Sequence, residues 1–260
     1  AFDQSLLRQL INSTVSDVAR KQEVSYDAVL GAINRGVARS VNWSAFTALK
    51  VIGMDEIALR KGHRDFVVIV TLRRGDGDIA LLGVLPNRKK ETVVAFLRSI
   101  PLKLRASIER VCTDMYEGYT NAVKEEVTQA QVVIDRFHVA KAYRECADEL
   151  RKSELRELKQ GLDAEEYKLL KGTMWPFRRN AADLEPEQEQ AVALLLECAP
   201  DLRKAYDLRE ELSAIFDAEQ SKESAKRAIT NWIGRVKQSG LKCFDSFVTT
   251  LDNWLDELTN

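Results

Sequence analysis

The sequence lacks the long apolar runs of membrane proteins and the leader of secreted ones. Within its 260 residues, no stretch approaches the ~18 consecutive apolar residues that a membrane span needs. The first residues also lack the charged-then-apolar pattern of a signal peptide. These absences predict a cytoplasmic protein that has no membrane partner.

Cysteine and histidine are too sparse to suggest a cross-linked or metal-rich protein. Four cysteines occur, with no C-x-x-C pair, at Cys112, Cys146, Cys198 and Cys243. This spread argues against a disulfide framework or a structural zinc site and favours free thiols. The two histidines, His63 and His138, are too few for a His-rich metal centre.

An excess of positive charge is also absent. The formal net charge is -1, so no global basic field favours nucleic acid, and any DNA-binding surface must be local. With 45% hydrophobic residues, the chain can form one large domain or two to three smaller ones with a proper core. Because the sequence does not begin with Met, we expect it to be a piece of a longer protein.

Residues 1–45 predict a short helical segment. Apolar residues recur at helical spacing in "STVSDVARKQ" and in "EVSYDAVLGAINRGVARS", with Ser13 and Ser25 placed to cap the two helices. Two short helices joined by a tight turn are typical of a helix-turn-helix, whose second helix would present Arg35 and Arg39 to DNA. An ordinary helical hairpin is an equal alternative on these residues alone.

Residues 46–146 change to the two-residue period of β-strands. "LKVIGMDEIAL", "DFVVIVTL" and "IALLGVL" predict three strands joined by glycine-containing turns. Predicted helices and short apolar strands then alternate as far as the helix "FHVAKAYRECADEL". The predicted order β-β-β-α-β-α-β-α gives an α/β mixed sheet, with the first and fourth strands adjacent at its centre.

Residues 147–260 predict only helices. Segments such as "QAVALLLECA", "SAKRAITNWIGRV" and "FDSFVTTLDNWLDEL" each carry an apolar stripe at the helical period. Trp232 and Trp254 lie on these stripes, so both are expected in the core. "KGTMWPFRRNAADLEP" is predicted to be a loop that links two helices.

Two aspartates lie on the central strands of the predicted sheet. Asp55 lies inside the first strand, where Glu56 must point to the opposite face, and Asp114 closes the fourth strand, "RVCTD". Carboxylates from adjacent strands would converge, and divalent cations allow two of them to share a site. Two such metals can activate a water or a sugar hydroxyl, which is a route to phosphodiester chemistry.

A further acid and a histidine follow the fifth strand in "VIDRFHVAK". Asp135 is expected to cap the next helix, which we favour over a direct role in the site. His138 would then lie over the first helical turn. A site role and an ordinary partly buried histidine are equally consistent with its position.

Together, "GMDEIALRKGH", "CTDMYEGY" and "IDRFHVAKA" resemble the DDE transposases of bacterial insertion sequences, most closely the ISL-three family. The resemblance implies an RNase H-like catalytic core, an N-terminal helix-turn-helix and a long helical insertion. It implies that Asp55 and Asp114 are catalytic acids that bind Mg²⁺, with Mn²⁺ as an alternative. Asp135 and His138 match an accessory pair. The third acid, a Glu, is expected beyond Asn260, with Glu210 and Glu211 as stand-ins within the chain.

The family resemblance also implies the reaction and the partners. A metal-activated water would nick DNA at the element's end, and the free 3′-hydroxyl would then attack target DNA. The protein would act on element ends and target DNA as a homo-oligomer. Two rival functions remain: an RNase H-like nuclease or resolvase, and a DNA-binding regulator without enzymatic activity.

Basic residues supply further candidates for DNA contact. Trp175 beside Arg178 and Arg179 could stack on an unpaired base, although core packing is the commoner fate of a tryptophan. The turns of the predicted sheet also carry basic side chains, which could contact DNA phosphates or could simply be solvated. They are Lys61, Arg64, Arg73, Arg74, Arg88, Lys89 and Lys90.

Overall fold

The structure is a computed structural model that describes residues 2–10, 13–36, 41–58, 66–75, 77–161, 163–179 and 181–260. The chain divides into two compact units, Ala1–Thr47 and Ala48–Asn260. Three of the basic candidates, Lys61, Arg64 and Arg39, lie outside the described residues. Among the described residues, no helix combines the length and the apolarity needed to cross a membrane.

The first unit is built from helices α1 (Phe2–Gln9), α2 (Val15–Lys21) and α3 (Tyr26–Gly36), followed by a 3-10 turn at Trp43–Ala45. The predicted capping serine of α2 is wrong by one residue, because the Thr14 hydroxyl accepts the hydrogen bond from the Asp17 amide (3.1 Å). Ser25 caps α3 as predicted, by accepting from the Ala28 amide (3.1 Å). A small core holds the helices together through Leu6, Val18, Ala19, Val29 and Ala32.

The second unit contains a mixed five-stranded sheet in the order β3-β2-β1-β4-β5. The strands are β1 (Val51–Ala58), β2 (Phe66–Arg73), β3 (Ile79–Leu85), β4 (Arg110–Thr113) and β5 (Gln131–Ile134). The first three are antiparallel, whereas β4 pairs in parallel with both β1 and β5. The predicted element order and the adjacency of β1 and β4 are therefore confirmed.

Helices connect the later strands and cover part of the sheet. They are α4 (Lys90–Ser99), α5 (Leu102–Arg105) and α6 (Glu117–Glu126). Pro101 lies between α4 and α5 because proline cannot continue the first helix but is tolerated at the start of the second. The apolar face predicted for α4 is buried at Val93, Val94 and Leu97.

The rest of the second unit is helical, as predicted. Its helices are α7 (Arg136–Leu158), α8 (Ala164–Lys171), α9 (Met174–Phe177), α10 (Pro186–Cys198), α11 (Pro200–Asp217), α12 (Lys222–Ser239), α13 (Asp245–Asn253) and α14 (Leu255–Leu258). The segment expected to be a plain loop contains α9 and a 3-10 turn at Ala181–Asp183. Trp232 is fully buried, whereas Trp254 is partly buried against the same core.

Helix α7 runs through the boundary that the sequence placed between residues 146 and 147. Its 23 residues begin directly after β5 and end among the later helices. Tyr143, in the middle of α7, packs on Phe244, Phe247 and Trp232, with ring centroids 4.7, 5.4 and 6.0 Å away. The sheet and the helical region therefore share one structural element and belong to one compact unit.

Candidate active site

Asp55 and Asp114 stand side by side at the centre of the sheet. In the parallel β1–β4 pair, Met54 lies opposite Thr113, and each aspartate is the next residue in its strand direction. Because β1 pairs with a strand on both sides, Asp55 is not on an edge strand. The structure therefore brings together the two acids that the sequence singled out.

Asp55 presents its carboxylate to solvent. Its side chain is 62% exposed, and its Oδ1 atom accepts a hydrogen bond from the Glu56 amide (2.8 Å). The same oxygen lies 3.4 Å from Nε2 of His138. One carboxylate oxygen is thus held by the protein, while the side chain as a whole stays accessible to a ligand.

Asp114 has the opposite environment. Its Oδ1 atom is buried and has no hydrogen-bond partner among the described residues. Burial raises the pKa of this carboxyl to about 6, and the negative charges of Glu56 and Asp55 add to the increase. The charges of His138 and Arg88 oppose that increase only in part. Asp114 is therefore a partly buried acid with one buried oxygen, and its negative charge is not matched.

Asp135 and His138 reach the site through the start of α7. The Asp135 side chain accepts a hydrogen bond from the Phe137 amide (2.8 Å), so its predicted role as a helix cap is confirmed. This cap fixes the first turn of α7, from which His138, 18% exposed at its side chain, reaches Asp55. The structure thus brings His138 to the acidic pair and gives Asp135 a supporting position.

Glu56 and Arg88 form a wall of the site that the sequence analysis missed. Glu56 accepts from the Arg88 guanidinium (3.2 Å), which also lies 4.7 Å from the ring centroid of Phe66 and 5.1 Å from that of Tyr116. Arg88 was assigned only to possible phosphate contacts. The available signal was the second acid of the "DE" pair, which needs a cation when it faces away from the first.

The two central acids fit a divalent cation as a partial ligand set. Among the described residues, no group of three or more His, Cys, Asp or Glu side chains is placed to hold a metal ion. Mg²⁺, however, is commonly bound by one or two carboxylates, with water and substrate phosphate completing its coordination. The unpartnered Oδ1 of Asp114 is the kind of buried acceptor that such an ion would satisfy.

The remaining candidates for DNA contact are distributed between the two units. Trp175 is 65% exposed, so the expectation that it packs in the core is wrong. Arg178 stacks over the Trp175 ring at 5.2 Å, and Arg179 donates to Gln188 (3.3 Å). In the first unit, Arg35 forms two hydrogen bonds to Asp3 (2.8 and 3.0 Å), which occupy part of its guanidinium.

The acids considered as stand-ins for a third catalytic residue have structural partners. Glu210 pairs with Arg209 (2.5 Å), and Glu211 pairs with Arg235 (2.8 Å). Both lie on α11, an amphipathic helix whose other face is buried in the helical core. These contacts give both residues an ordinary role in helix packing.

Comparison with known proteins shows the family of the chain. The transposase family model of the ISL-three (ISL3) group of DDE enzymes matches residues 52–260, so the chain belongs to this transposase family. It is 30% identical over 97% of its length to the transposase for insertion sequence element IS1001 of Bordetella parapertussis. It is 26% identical over 76% of its length to the transposase for insertion sequence element IS1557 of Mycobacterium tuberculosis. The chain spans 61% of the first relative and 48% of the second.

Proposed function

We propose that this chain supplies the catalytic core of a transposase that cuts DNA and transfers the cut strand to a target. The observation that carries the proposal is that Asp55 and Asp114 directly follow Met54 and Thr113, the last residues paired between adjacent central strands, with one buried Asp114 oxygen unsatisfied. The mixed sheet supports an RNase H-like core. The capped helices α2 and α3 support a helix-turn-helix.

The residues of the site have distinct roles in this proposal. Asp55 and Asp114 hold Mg²⁺, or Mn²⁺ in its place, which when bound activates a water or 3′-hydroxyl and stabilises the leaving oxygen. His138 orients the Asp55 carboxylate, and the Asp135 cap holds His138 in position. Arg88 keeps Glu56 paired, so that Glu56 does not compete with the central acids.

The complete active site, in this proposal, includes a third acid from sequence beyond Asn260. The relatives are longer than this chain. The candidates within the chain, Glu210 and Glu211, already form ion pairs with arginines. Element ends and target DNA are the proposed substrates, and a homo-oligomer is the proposed working form. Experiments on activity therefore use the full-length protein.

The test replaces each central acid by its uncharged isostere. In the full-length protein, Asp55→Asn and Asp114→Asn should each lower Mg²⁺-dependent cleavage of an element end by at least about 10³-fold. DNA binding should change little, because neither substitution removes a cation. The matched control is Asp207→Asn, an exposed aspartate on α11, which should cleave normally.

The outcomes separate this proposal from its rivals. Normal cleavage by either acid variant would refute the assignment of the site. Cleavage without transfer of a pre-cut element end into plasmid DNA would indicate a nuclease or resolvase. DNA binding with no cleavage by the unaltered protein would indicate a regulator.

A further inference from the structure

Two clefts adjoin along α7 and together form one trough. The first, of about 620 Å³, is lined by residues that include Lys141, Arg144, Lys152, Trp175, Arg178 and Arg179. The second, of about 370 Å³, is lined by residues that include Arg136, Phe137, Arg144, Arg178, Arg209 and Phe216. Because Arg144 and Arg178 line both clefts, the two clefts are adjacent. We refer to them together as the α7 trough.

Two aromatic rings stand exposed in the α7 trough, and each has an arginine beside it. Phe137 is 58% exposed and Trp175 is 65% exposed. The Arg144 guanidinium lies 5.7 Å from the Phe137 ring centroid, and that of Arg178 lies 5.2 Å from the Trp175 centroid. An accessible ring with an adjacent guanidinium offers a flat face to a base and a cation to its phosphate.

The charge of the α7 trough is positive in a chain that is almost neutral. Five cationic and three acidic side chains line the first cleft. One of those acids, Asp148, is already paired with Arg151, Lys152 and Arg178 at 2.8, 2.9 and 3.2 Å. Lys141, Arg144 and Arg179 then remain beside Glu145 and Glu149, so the cleft keeps a small excess of positive charge. A local excess of this sign attracts a phosphate backbone.

The α7 trough runs away from the central acids. Positions 137, 141, 144, 148 and 152 recur every three to four residues, so they share one face of α7. At 1.5 Å per residue they extend over about 22 Å, which is enough for about six stacked nucleotides. The trough begins at Phe137, which directly precedes the histidine that contacts Asp55.

We propose that the α7 trough binds an unpaired DNA strand, with bases stacked on Phe137 and Trp175. This inference rests on the proposed function, because it names the form of DNA that lies next to the catalytic acids. In the interior of a duplex the base faces are covered by neighbouring base pairs, so exposed rings can stack there only on bases that have left the helix. The arginines hold the backbone of that strand.

The test measures binding without divalent metal, so that no DNA is cut. Fluorescence anisotropy of the full-length protein is measured with a labelled single strand of about eight nucleotides and with a duplex of the same sequence. Trp175→Ala and Phe137→Ala should each weaken single-strand binding by about 5- to 100-fold, and duplex binding by much less. The control is Leu102→Ala, which removes a 74% exposed apolar side chain on α5 and should change neither.

A second measurement keeps the test independent of folding. Trp175→Phe preserves a ring for stacking, so single-strand affinity should stay within about threefold, while quenching of tryptophan fluorescence by the single strand is lost. Equal weakening of single-strand and duplex binding by the alanine variants, or unchanged single-strand binding, would overturn the inference. These readouts are separate from cleavage, so either proposal can fail while the other stands.

Discussion

Asp114, which is partly buried, and Asp148, which is buried, are two aspartates of one compact unit with opposite environments. Three cations surround Asp148, whose side chain is 8% exposed. Although burial alone raises its pKa, the hydrogen bonds from Lys152 and Arg151 and the charge of Arg178 lower it to about 2. The pKa of Asp114 rises to about 6, because it is buried close to other acids.

The difference teaches which of the two acids the fold uses for its own stability. A buried carboxylate is tolerated when cations and hydrogen bonds compensate its charge, and Asp148 has both within the chain. Asp114 has a carboxylate oxygen with no partner among the described residues. The first arrangement stabilises the helical region, whereas the second leaves a charge that the described residues do not compensate, at the expense of stability.

The largest expected effect on stability comes from removing the negative charge of Asp148. Asp148→Asn should lower the free energy of unfolding by about 3 kcal/mol at neutral pH, because it leaves the buried Arg151 without its counter-charge. Urea unfolding followed by circular dichroism measures the change. The matched control is Asp252→Asn, whose pair with Lys237 is exposed, and which should lose less than about 1 kcal/mol.

The same site predicts a pH dependence of stability. Because the folded pKa of Asp148 lies below the unfolded value of about 3.9, its contribution is complete above pH 4 and declines as the pH falls towards 2. The deficit of Asp148→Asn relative to the unaltered chain should therefore shrink by roughly 1 kcal/mol between neutral pH and pH 3. A constant deficit over that range would contradict the assignment.

The substitution Asp114→Asn should change the free energy of unfolding in the opposite direction and by a slightly smaller amount. Because the folded pKa of Asp114 lies above the unfolded value, its ionised form opposes folding as the pH rises from about 4 through 6. Removing the charge should raise the free energy of unfolding by about 2 kcal/mol near pH 8, in metal-free buffer.

The control for this gain is the same measurement near pH 4, where the folded carboxyl is protonated. There the variant and the unaltered chain should agree within about 0.5 kcal/mol. If Asp114→Asn instead loses stability near pH 8, the charge of Asp114 stabilises the fold. The comparison between the two aspartates would then fail.

The smallest expected effect comes from the neighbour that acts most strongly on Asp114. Glu56→Gln removes the negative charge that most raises the pKa of Asp114, but it also breaks a half-exposed pair with Arg88. The two effects oppose each other, so stability should change by less than about 1 kcal/mol. The apparent pKa of Asp114, measured by NMR titration of its carboxyl carbon, should fall. An unchanged pKa would show that the charge of Glu56 does not act on Asp114.

Much of the sheet and the central acids could be predicted from the sequence. Strand period, glycine turns and the rules for parallel crossovers placed β1 beside β4, and the two aspartates follow from that adjacency. The Asp135 cap was also predictable, because an acid directly before a helix satisfies free amides of its first turn. These features depend on neighbours close in sequence or on general rules of topology.

Features that depend on distant packing could not be predicted. Arg178 pairs with Asp148 across thirty positions of sequence, and that pairing helps to hold Trp175 and Arg178 on the surface. Arg88 reaches Glu56 across a similar separation. Thr14 rather than Ser13 caps α2, because two adjacent hydroxyls compete and the final turn geometry decides between them.

The continuity of α7 limits how this protein can be shortened or rearranged. A cut between residues 146 and 147 would sever a rigid rod of about 35 Å and would strip the aromatic neighbours from Tyr143. Removing the helical region at that position would therefore also remove part of the helix that carries His138.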